Sequence, residues 1–545
     1  MSNFSRLSFL PLLGLLACVP PWEPLLGCAD AGACATGSTG VDGDGAPTTD
    51  LSDGIQTVTG NGEGSTSTGA APDTDGSTTG EPAAPRIVSF ELSPNPIEFN
   101  GPIAVTVWAD DAAGVRMELD DGAMIELVTG EPGVFHGEIA VRTGMLNGPH
   151  EAFLTPSRDG VDGETTPASY QIALPKPGSE GFWETGDLIG AGQVAAMGVL
   201  PSGHVVEFGT LTVNGTSQCY LRRRSKGGAW GPGDLEILAP GDPCQAIDLV
   251  VGEEGGLYTL VNRQGMDGIR WWLAKISAWG QDPTNLGIGT KGETVSALAL
   301  HDSGAVAVCG HAPSPWSDDD AMAKIFRPDL PGEAWTFDYR PPPNFLPHQF
   351  DERTRDCVFT NDTLALVGEA YGVHGSEKDK RERLSIVRFD IKSKDSIWTV
   401  ATAGLKAQSG AQAVDVDDQG RLLVGGYTCD DACQPEAELR IYDGDGDQAW
   451  PLSLGVFPTK QFAVQDVAWS PAGYAVVATG GMQGNETAFT VRAFAPDSAL
   501  PLWTFARKDS QVLHLTLALA LGAYGEVYAG GLGANGYPAV AYIGG

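Results

Sequence analysis

Gly420-Arg421-Leu422-Leu423-Val424-Gly425-Gly426 reads as a tight turn running into an apolar strand. Before it stands another strand-like run, Ala413-Val414-Asp415-Val416. After it come Leu439-Arg440-Ile441-Tyr442, a second turn at Asp443-Gly444-Asp445-Gly446-Asp447, and Trp450. Four short strands joined by turns make one antiparallel unit, and the Gly of the first turn supplies the positive φ that such a hairpin needs.

The unit recurs. Its turn returns at Gly203-His204-Val205, Gly256-Leu257-Tyr258, Gly304-Ala305-Val306, Asp362-Thr363-Leu364, Gly473-Tyr474-Ala475 and Gly525-Glu526-Val527. Its tryptophan returns at Trp183, Trp230, Trp279, Trp335, Trp398 and Trp503, at intervals of 47 to 63 residues. A period of that size marks a radial array of small sheets. The third strand of each unit carries a cation (Arg222, Lys275, Lys324, Arg388, Arg440, Arg492) among apolar residues. Read as period-two alternation, this puts one face in the core and one in water.

The last unit stops at Ala539-Val540-Ala541-Tyr542-Ile543 without a tryptophan strand, whereas Gly181-Phe182-Trp183-Glu184 is such a strand with no unit before it. If the first strand completes the last unit, a ring closes and hides edges that would otherwise pair with other chains. The fold expected for residues 178–545 is a seven-bladed β-propeller in an all-β chain; a string of β-sandwiches is the other arrangement this spacing permits. The 420–450 unit and Gly525 to Gly531 resemble the seven-bladed β-propeller repeat family of secreted bacterial proteins. The resemblance covers about two thirds of the chain, the first two units loosely. It implies fold and envelope location and brings no catalytic residue.

The N-terminus gives the address. Arg6 precedes the apolar run Leu7 to Ala17, the length of a signal-peptide core and too short to span a bilayer. It ends Leu15-Leu16-Ala17-Cys18, which resembles a bacterial lipobox. Residues 1–17 are then a lipoprotein signal peptide and Cys18 the lipidated residue; ordinary secretion, with Cys18 discarded, is the alternative. Acyl chains hold a protein on a membrane at roughly 0.8 kcal/mol per buried CH₂. By the same resemblance, Val19 after the cysteine favours the outer membrane. The expected address is the bacterial cell envelope, periplasmic or surface-exposed. Residues 18–85 are rich in Gly, Ser, Thr, Asp and Pro and cannot bury enough apolar surface to fold, so they read as a disordered tether.

Residues 86–175 hold about seven short strands between Gly, Asp, Asn and Pro turns, the spacing of an immunoglobulin-like β-sandwich with Trp108 in its core. Pro175-Lys176-Pro177-Gly178 reads as a short, stiff link to the ring.

The 545-residue chain carries a formal charge of −36, which excludes nucleic acid as a partner because phosphate neutralisation needs clustered Lys and Arg. With Cys18 reserved for lipid, eight cysteines remain, an even number that reads as disulfides in an exported chain. Sequence order suggests Cys28–Cys34, Cys219–Cys244, Cys309–Cys357 and Cys429–Cys433, although spacing does not fix connectivity.

Candidate chemistry is sparse. Asp443, Asp445 and Asp447 alternate like the start of a calcium loop, but the twelfth position is Leu454 where that loop needs Glu, so turn chemistry is the expectation. No histidine pair has metal-ligand spacing. His301 and His514 lie nearest the expected central channel, where a structural role competes with a lining role. There is no nucleophile elbow, phosphate-binding loop or zincin motif. Periodic tryptophans resemble those of quinoprotein dehydrogenases, but the Thr-Gly pair of that family is missing before Trp398 and Trp450. The expectation is therefore no catalytic residue, no cofactor and no metal. The connections 311–321, 341–355, 372–383 and 428–436 exceed a minimal turn and are the expected recognition surface. Together these features predict a monomeric, non-enzymatic, lipid-anchored scaffold that binds an envelope protein or glycan. A hydrolase or lyase with its site at the channel mouth is the alternative.

Overall fold

The structure, a computed structural model, describes residues 84–545 except 143–144, 186–189, 226–233, 239–241, 266–267, 278, 280–282, 314–318, 328–333, 339–349, 374–379, 394, 403–407, 430–434, 447, 451–462, 484–485, 510–514, 534–535 and 545. The readings placed on the signal peptide, on Cys18, Cys28 and Cys34, on most of the tether, on Trp230 and on His514 lie outside the described residues. The rest is all-β, built of small antiparallel sheets, with no α-helix among the described residues.

The chain divides into two compact units. The first, within residues 84–172, has nine strands: β1 (Arg86–Ser93), β2 (Gly101–Asp110), β3 (Gly114–Leu119), β4 (Met124–Glu126), β5 (Val128–Thr129), β6 (Val134–Val141), β7 (Gly148–Arg158), β8 (Val161–Asp162) and β9 (Thr166–Ile172). They form one sheet in the order β1-β2-β6-β5 and a second, β4-β3-β7-β8, with β9 also on β7. Strand β2 alternates strictly. Ile103, Val105 and Val107 are buried while Trp108 is 37% exposed, so the expectation of a core tryptophan is corrected. Trp108 falls on the opposite, outward phase of the pleat, and a residue's phase decides its face.

The second unit, Ala173–Gly545 with two short earlier segments, contains seven four-stranded sheets. Sheet 1 joins strands Gly192–Val199, Val205–Val213, Thr216–Arg224 and Leu235–Leu238 in simple sequence order. Sheets 2 to 6 repeat that order from inner strands Cys244–Val251, Thr294–Leu300, Phe350–Thr360, Gln408–Val416 and Val464–Trp469. Sheet 7 takes three strands from the chain's end, Leu515–Leu521, Val527–Leu532 and Pro538–Ile543, and its fourth from β10 (Glu180–Thr185). Phe182 pairs with Tyr542 and Trp183 with Ala541, the closure that the two incomplete ends predict. Inner strands of consecutive sheets pack side by side, and that of sheet 7 packs on that of sheet 1, so the circuit is complete. The supposed link is part of this closure: Gly178 N–H donates to Gly544 O at 2.7 Å and Gly544 N–H to Ser179 O at 3.0 Å.

One turn closes six of the seven first hairpins. At sheet 1 Gly203 N–H donates to Leu200 O and Leu200 N–H to His204 O; Gly255, Gly304, Gly420, Gly473 and Gly525 repeat this, all with φ between 77° and 84°. Sheet 4 has Asn361 at φ 51° instead, the non-glycine residue best suited to that region.

Two expectations are corrected by the packing. Three of the third-strand cations do not face water: Arg222, Arg388 and Arg440 are buried, while Lys275, Lys324 and Arg492 are part-buried. Sheets stacked face to face dry both surfaces of their middle strands, so Val306 to His311 reads buried at every position. The cations are therefore met by protein. Arg440 pairs with Glu438, Lys324 bonds Glu293 at 2.6 Å and lies over Trp271, and Arg388 donates to Gly444 O at 3.0 Å. In sheet 2 the tryptophan does not mark the outer strand, which runs Thr284–Ile288. Trp279 precedes it and stacks under the Arg223 guanidinium of sheet 1.

Candidate functional site: carboxylates along the inner strands

Each of the seven inner strands carries a β-bulge at the same height. The residue just past it is Ala196, Asp248, Ala297, Asp356, Ala413, Asp466 and Ala518 in sheets 1 to 7. Alanine and aspartate alternate. A bulge frees a backbone N–H from the ladder, and a short carboxylate can collect it. Asp248 Oδ1 accepts Leu249 N–H at 2.7 Å, while its Oδ2 reaches the next sheet to accept Leu298 N–H at 2.6 Å. Asp356 does the same with Cys357 and Val414, both at 2.7 Å, and Asp466 with Val467 at 2.8 Å and Leu519 at 2.6 Å. Leu298, Val414 and Leu519 each follow the bulge alanine of their strand, so aspartate in one sheet serves alanine in the next. The junction from sheet 5 to 6 uses Asp415 instead, two residues past the bulge, which accepts Trp469 N–H at 2.6 Å.

Two of the three junctions left over are covalent. Cys219–Cys244 joins sheets 1 and 2, and Cys309–Cys357 joins sheets 3 and 4. Both pairs match the order-based expectation. Cys429 lies buried near Gln408 Oε1, and its expected partner Cys433 falls outside the described residues. Sheet 7 meets sheet 1 through an apolar seam of Ala518, Tyr528, Val540 and Tyr542 against Val194, Met197 and Val205.

The bulge also explains the glycines of the second strand. A Cβ on Gly209, Gly310, Gly368 or Gly426 would lie 1.9 to 2.2 Å from a backbone oxygen of the opposing bulged strand. No side-chain movement relieves that contact.

The aspartates are enclosed by protein, yet all four keep a partly exposed surface. Burial pushes Asp248 up to about 7 against the pull of its two N–H donors. Burial, then the Asp248 charge, holds Asp356 well above the usual range, with Asp466 adding to it. Burial lifts Asp466 to about 7, with Asp248 and Asp415 contributing, and lifts Asp415 to about 6. Carboxylates from sheets 2, 4 and 6 thus feel one another. Carboxyls poised near neutrality suit proton transfer. Here, however, both oxygens of each already hold backbone N–H groups, which is the chemistry of a clasp.

A second polar cluster lies where inner strands begin and second strands end. Glu369 Oε2 accepts Arg355 Nη2 at 3.0 Å, and its Oε1 accepts Gln412 Nε2 at 2.9 Å and Tyr427 OH at 3.3 Å. Glu352 sits at this end, pushed to about 8 by burial and then by Asp320. In an antiparallel unit the connections after the second and the fourth strand leave from this same end. All four expected recognition loops are of those two kinds. They are shorter than the sequence suggests, because strands run to Pro313, Val373 and Cys429 and resume at Asp319, Lys380 and Pro435. The residues between lie outside the described set.

Sequence reasoning pointed elsewhere. His301 sits in a hairpin turn at the opposite end: its Nε2–H donates to Asn361 O at 2.8 Å and its Nδ1 accepts Ser303 N–H at 3.0 Å, a structural tie between sheets 3 and 4. Asp443 Oδ1 accepts Asp445 N–H at 3.1 Å, the turn chemistry expected of that run. Asp248, Asp356 and Asp466 were not singled out. Their signal was one acid inside an apolar strand, as in Ile247-Asp248-Leu249-Val250.

No protein-family model matches the sequence, and no curated protein matches it either. Among solved structures, it is similar to a structural genomics protein of unknown function from Bacteroides thetaiotaomicron (11% identity, TM-score 0.40, covering 85% of this chain and 98% of that one). It is also similar to the Hadza microbial sialidase Hz136 (10% identity, TM-score 0.34, covering 84% and 96%).

Proposed function

We propose that residues 178–545 form a seven-bladed β-propeller, carried on an immunoglobulin-like domain and a tether, in an exported lipoprotein of the bacterial envelope. The ring presents one end, where the long connections gather, as a binding surface for an envelope protein or glycan. The observation that carries this reading is the closed circuit of inner strands, cross-linked at six junctions and sealed by β10. Such a ring is rigid, and rigid scaffolds place recognition in the loops at one rim. Two disulfides fit an oxidising compartment, and no helix among the described residues is long and apolar enough to cross a membrane. The test is a glycan and envelope-protein binding screen with the Cys18→Ser chain, alongside mass spectrometry of the wild-type N-terminus. Diacylglycerol on Cys18 and a ligand lost on altering residues 374–379 support the reading. An unmodified N-terminus beyond Cys18 removes the anchor.

One observation favours a second reading, a hydrolase or lyase. Four acids with raised proton affinity sit in one ring. Turnover abolished by Asp356→Asn in a folded protein would replace the binding reading with that one.

A further inference from the structure

Glu352 is 8% exposed, and its Oε2 is sealed from solvent with no hydrogen-bond partner. A buried carboxyl without a donor is costly, and folded proteins pair such groups. Among the described residues no cation supplies the pairing. Arg355, three residues on, is committed to Glu369. Arg353 is the next residue in the strand, and successive strand residues point to opposite faces. Lys324 lies on Asp319–Phe326 of sheet 3, the strand packed against this one, and is committed to Glu293. The charge that does reach Glu352 is that of another acid, Asp320, at the start of the same strand of sheet 3. Asp319 beside it is met by His311, 3.9 Å away.

We propose that Glu352 and Asp320 form a subsite for one organic cation, the Arg or Lys side chain of a partner protein, at the junction of sheets 3 and 4. The inference rests on the binding reading above and narrows it, from an envelope protein or glycan to a basic segment of a protein.

Position, ligand count and charge all support it. Both acids fall within connections expected for recognition, Asp320 in 311–321 and Glu352 in 341–355. The pair is open to a ligand on one side, since Asp320 is half-buried and only one of the two Glu352 oxygens is sealed. Among the described residues no three His, Cys, Asp or Glu side chains converge on a metal position. A divalent ion therefore lacks its ligand set there, whereas a guanidinium or ammonium is satisfied by two carboxylates. A neutral sugar hydroxyl could donate to one oxygen but would leave two like charges unanswered. At longer range, 69 acids against 33 Lys and Arg favour the approach of a basic partner. The raised proton affinity of Glu352 expresses the same imbalance: a proton occupies the place that a bound cation would take.

The test titrates the oxidised Cys18→Ser chain at pH 8 with acetylated, amidated tetra-arginine and tetra-lysine peptides. Salt is held at about 150 mM, where attraction beyond about 8 Å is screened. Asp320→Asn/Glu352→Gln should weaken binding at least about tenfold. Glu254→Gln/Asp497→Asn, which removes two exposed turn acids at the opposite end of the ring, should weaken it less than about twofold. Equal losses in the two variants, or no binding to the wild type, overturn the proposal. A glucosamine tetramer that binds as tightly and suffers the same loss would assign the subsite to an aminosugar and overturn the protein partner. Should the site variant not fold, carbodiimide coupling of the tetra-lysine peptide to the wild type decides. Amide links at Glu352 or Asp320, located by mass spectrometry, sustain the proposal, and links at other acids alone end it. A ligand from the envelope screen that is lost on altering residues 374–379 but kept by the site variant would end this inference and leave the binding reading standing.

Discussion

Asp248 and Leu298, fifty residues apart in sequence, meet at 2.6 Å across the seam between sheets 2 and 3. The donor follows a bulge alanine and the acceptor is itself a bulge residue, a relation that Asp356 with Val414 and Asp466 with Leu519 reproduce. Three seams of the ring therefore close by one rule.

Removing the acceptor should show in stability. Asp248→Ala leaves Leu249 and Leu298 N–H without their partner, and an unsatisfied buried donor costs about 1–3 kcal/mol. The partial exposure of Asp248 lets water replace part of the loss, so a net cost of about 2 kcal/mol is expected. Chemical denaturation at pH 5 measures it; a midpoint equal to wild type would mean that the clasp is idle.

The covalent seams should weaken on reduction. Cys219–Cys244 closes a separation of 25 residues and Cys309–Cys357 one of 48. Chain-entropy arguments give about 3–4 kcal/mol for each. Paired Cys→Ser variants should lower the melting midpoint, the 309/357 pair by the larger amount. Equal, negligible losses would show that the sheets hold each other without help.

Glycine opposite the bulge should resist replacement. Gly426→Ala puts a Cβ 1.9 Å from Gly410 O, and Gly310→Ala puts one 2.0 Å from Thr294 O. Overpacking of this kind costs about 1–3 kcal/mol, and more where backbone is the obstacle. Expression and melting of these variants against Gly473→Ala, whose Cβ meets no atom within 4 Å, separate crowding from the loss of positive φ.

Glu352 should make the chain sensitive to alkali. Its carboxyl is raised to about 8 by burial and then by Asp320, so its contribution is whole below about 4 and disappears as pH rises through 8. Glu293 works in the opposite direction. Burial raises it, but hydrogen bonds from Lys324 and Thr290 lower it further, so its share is lost in acid. Glu352→Gln should match wild type near pH 4 and melt progressively higher than it up to pH 9. A variant that melts lower at pH 9 would contradict this placement.

Much of the fold was legible because it repeats. A turn, a glycine and a tryptophan returning together announce a unit, and the unpaired strands at residues 181–184 and 539–543 announce closure. Where the landmark drifts, legibility drops: Trp279 packs beside a strand instead of within one, since an aromatic ring stabilises a seam from either place. Trp108 misled for a related reason. A lone tryptophan tells nothing of phase, and the pleat sends it outward.

Sequence alone determined the all-β class and the repeating four-stranded unit, and its order suggested the cysteine pairs that staple sheets 1 to 2 and 3 to 4, because local turn chemistry and periodicity are written residue by residue. Tertiary structure alone decided the rest. Only stacking could reveal that Arg222, Arg388 and Arg440 on third strands are buried, and that bulges in seven strands lie at one height. Only closure could bring Asp248, Asp356 and Asp466 within electrostatic reach of one another, since residues more than a hundred apart in the chain share a charge environment only when the ring brings them together.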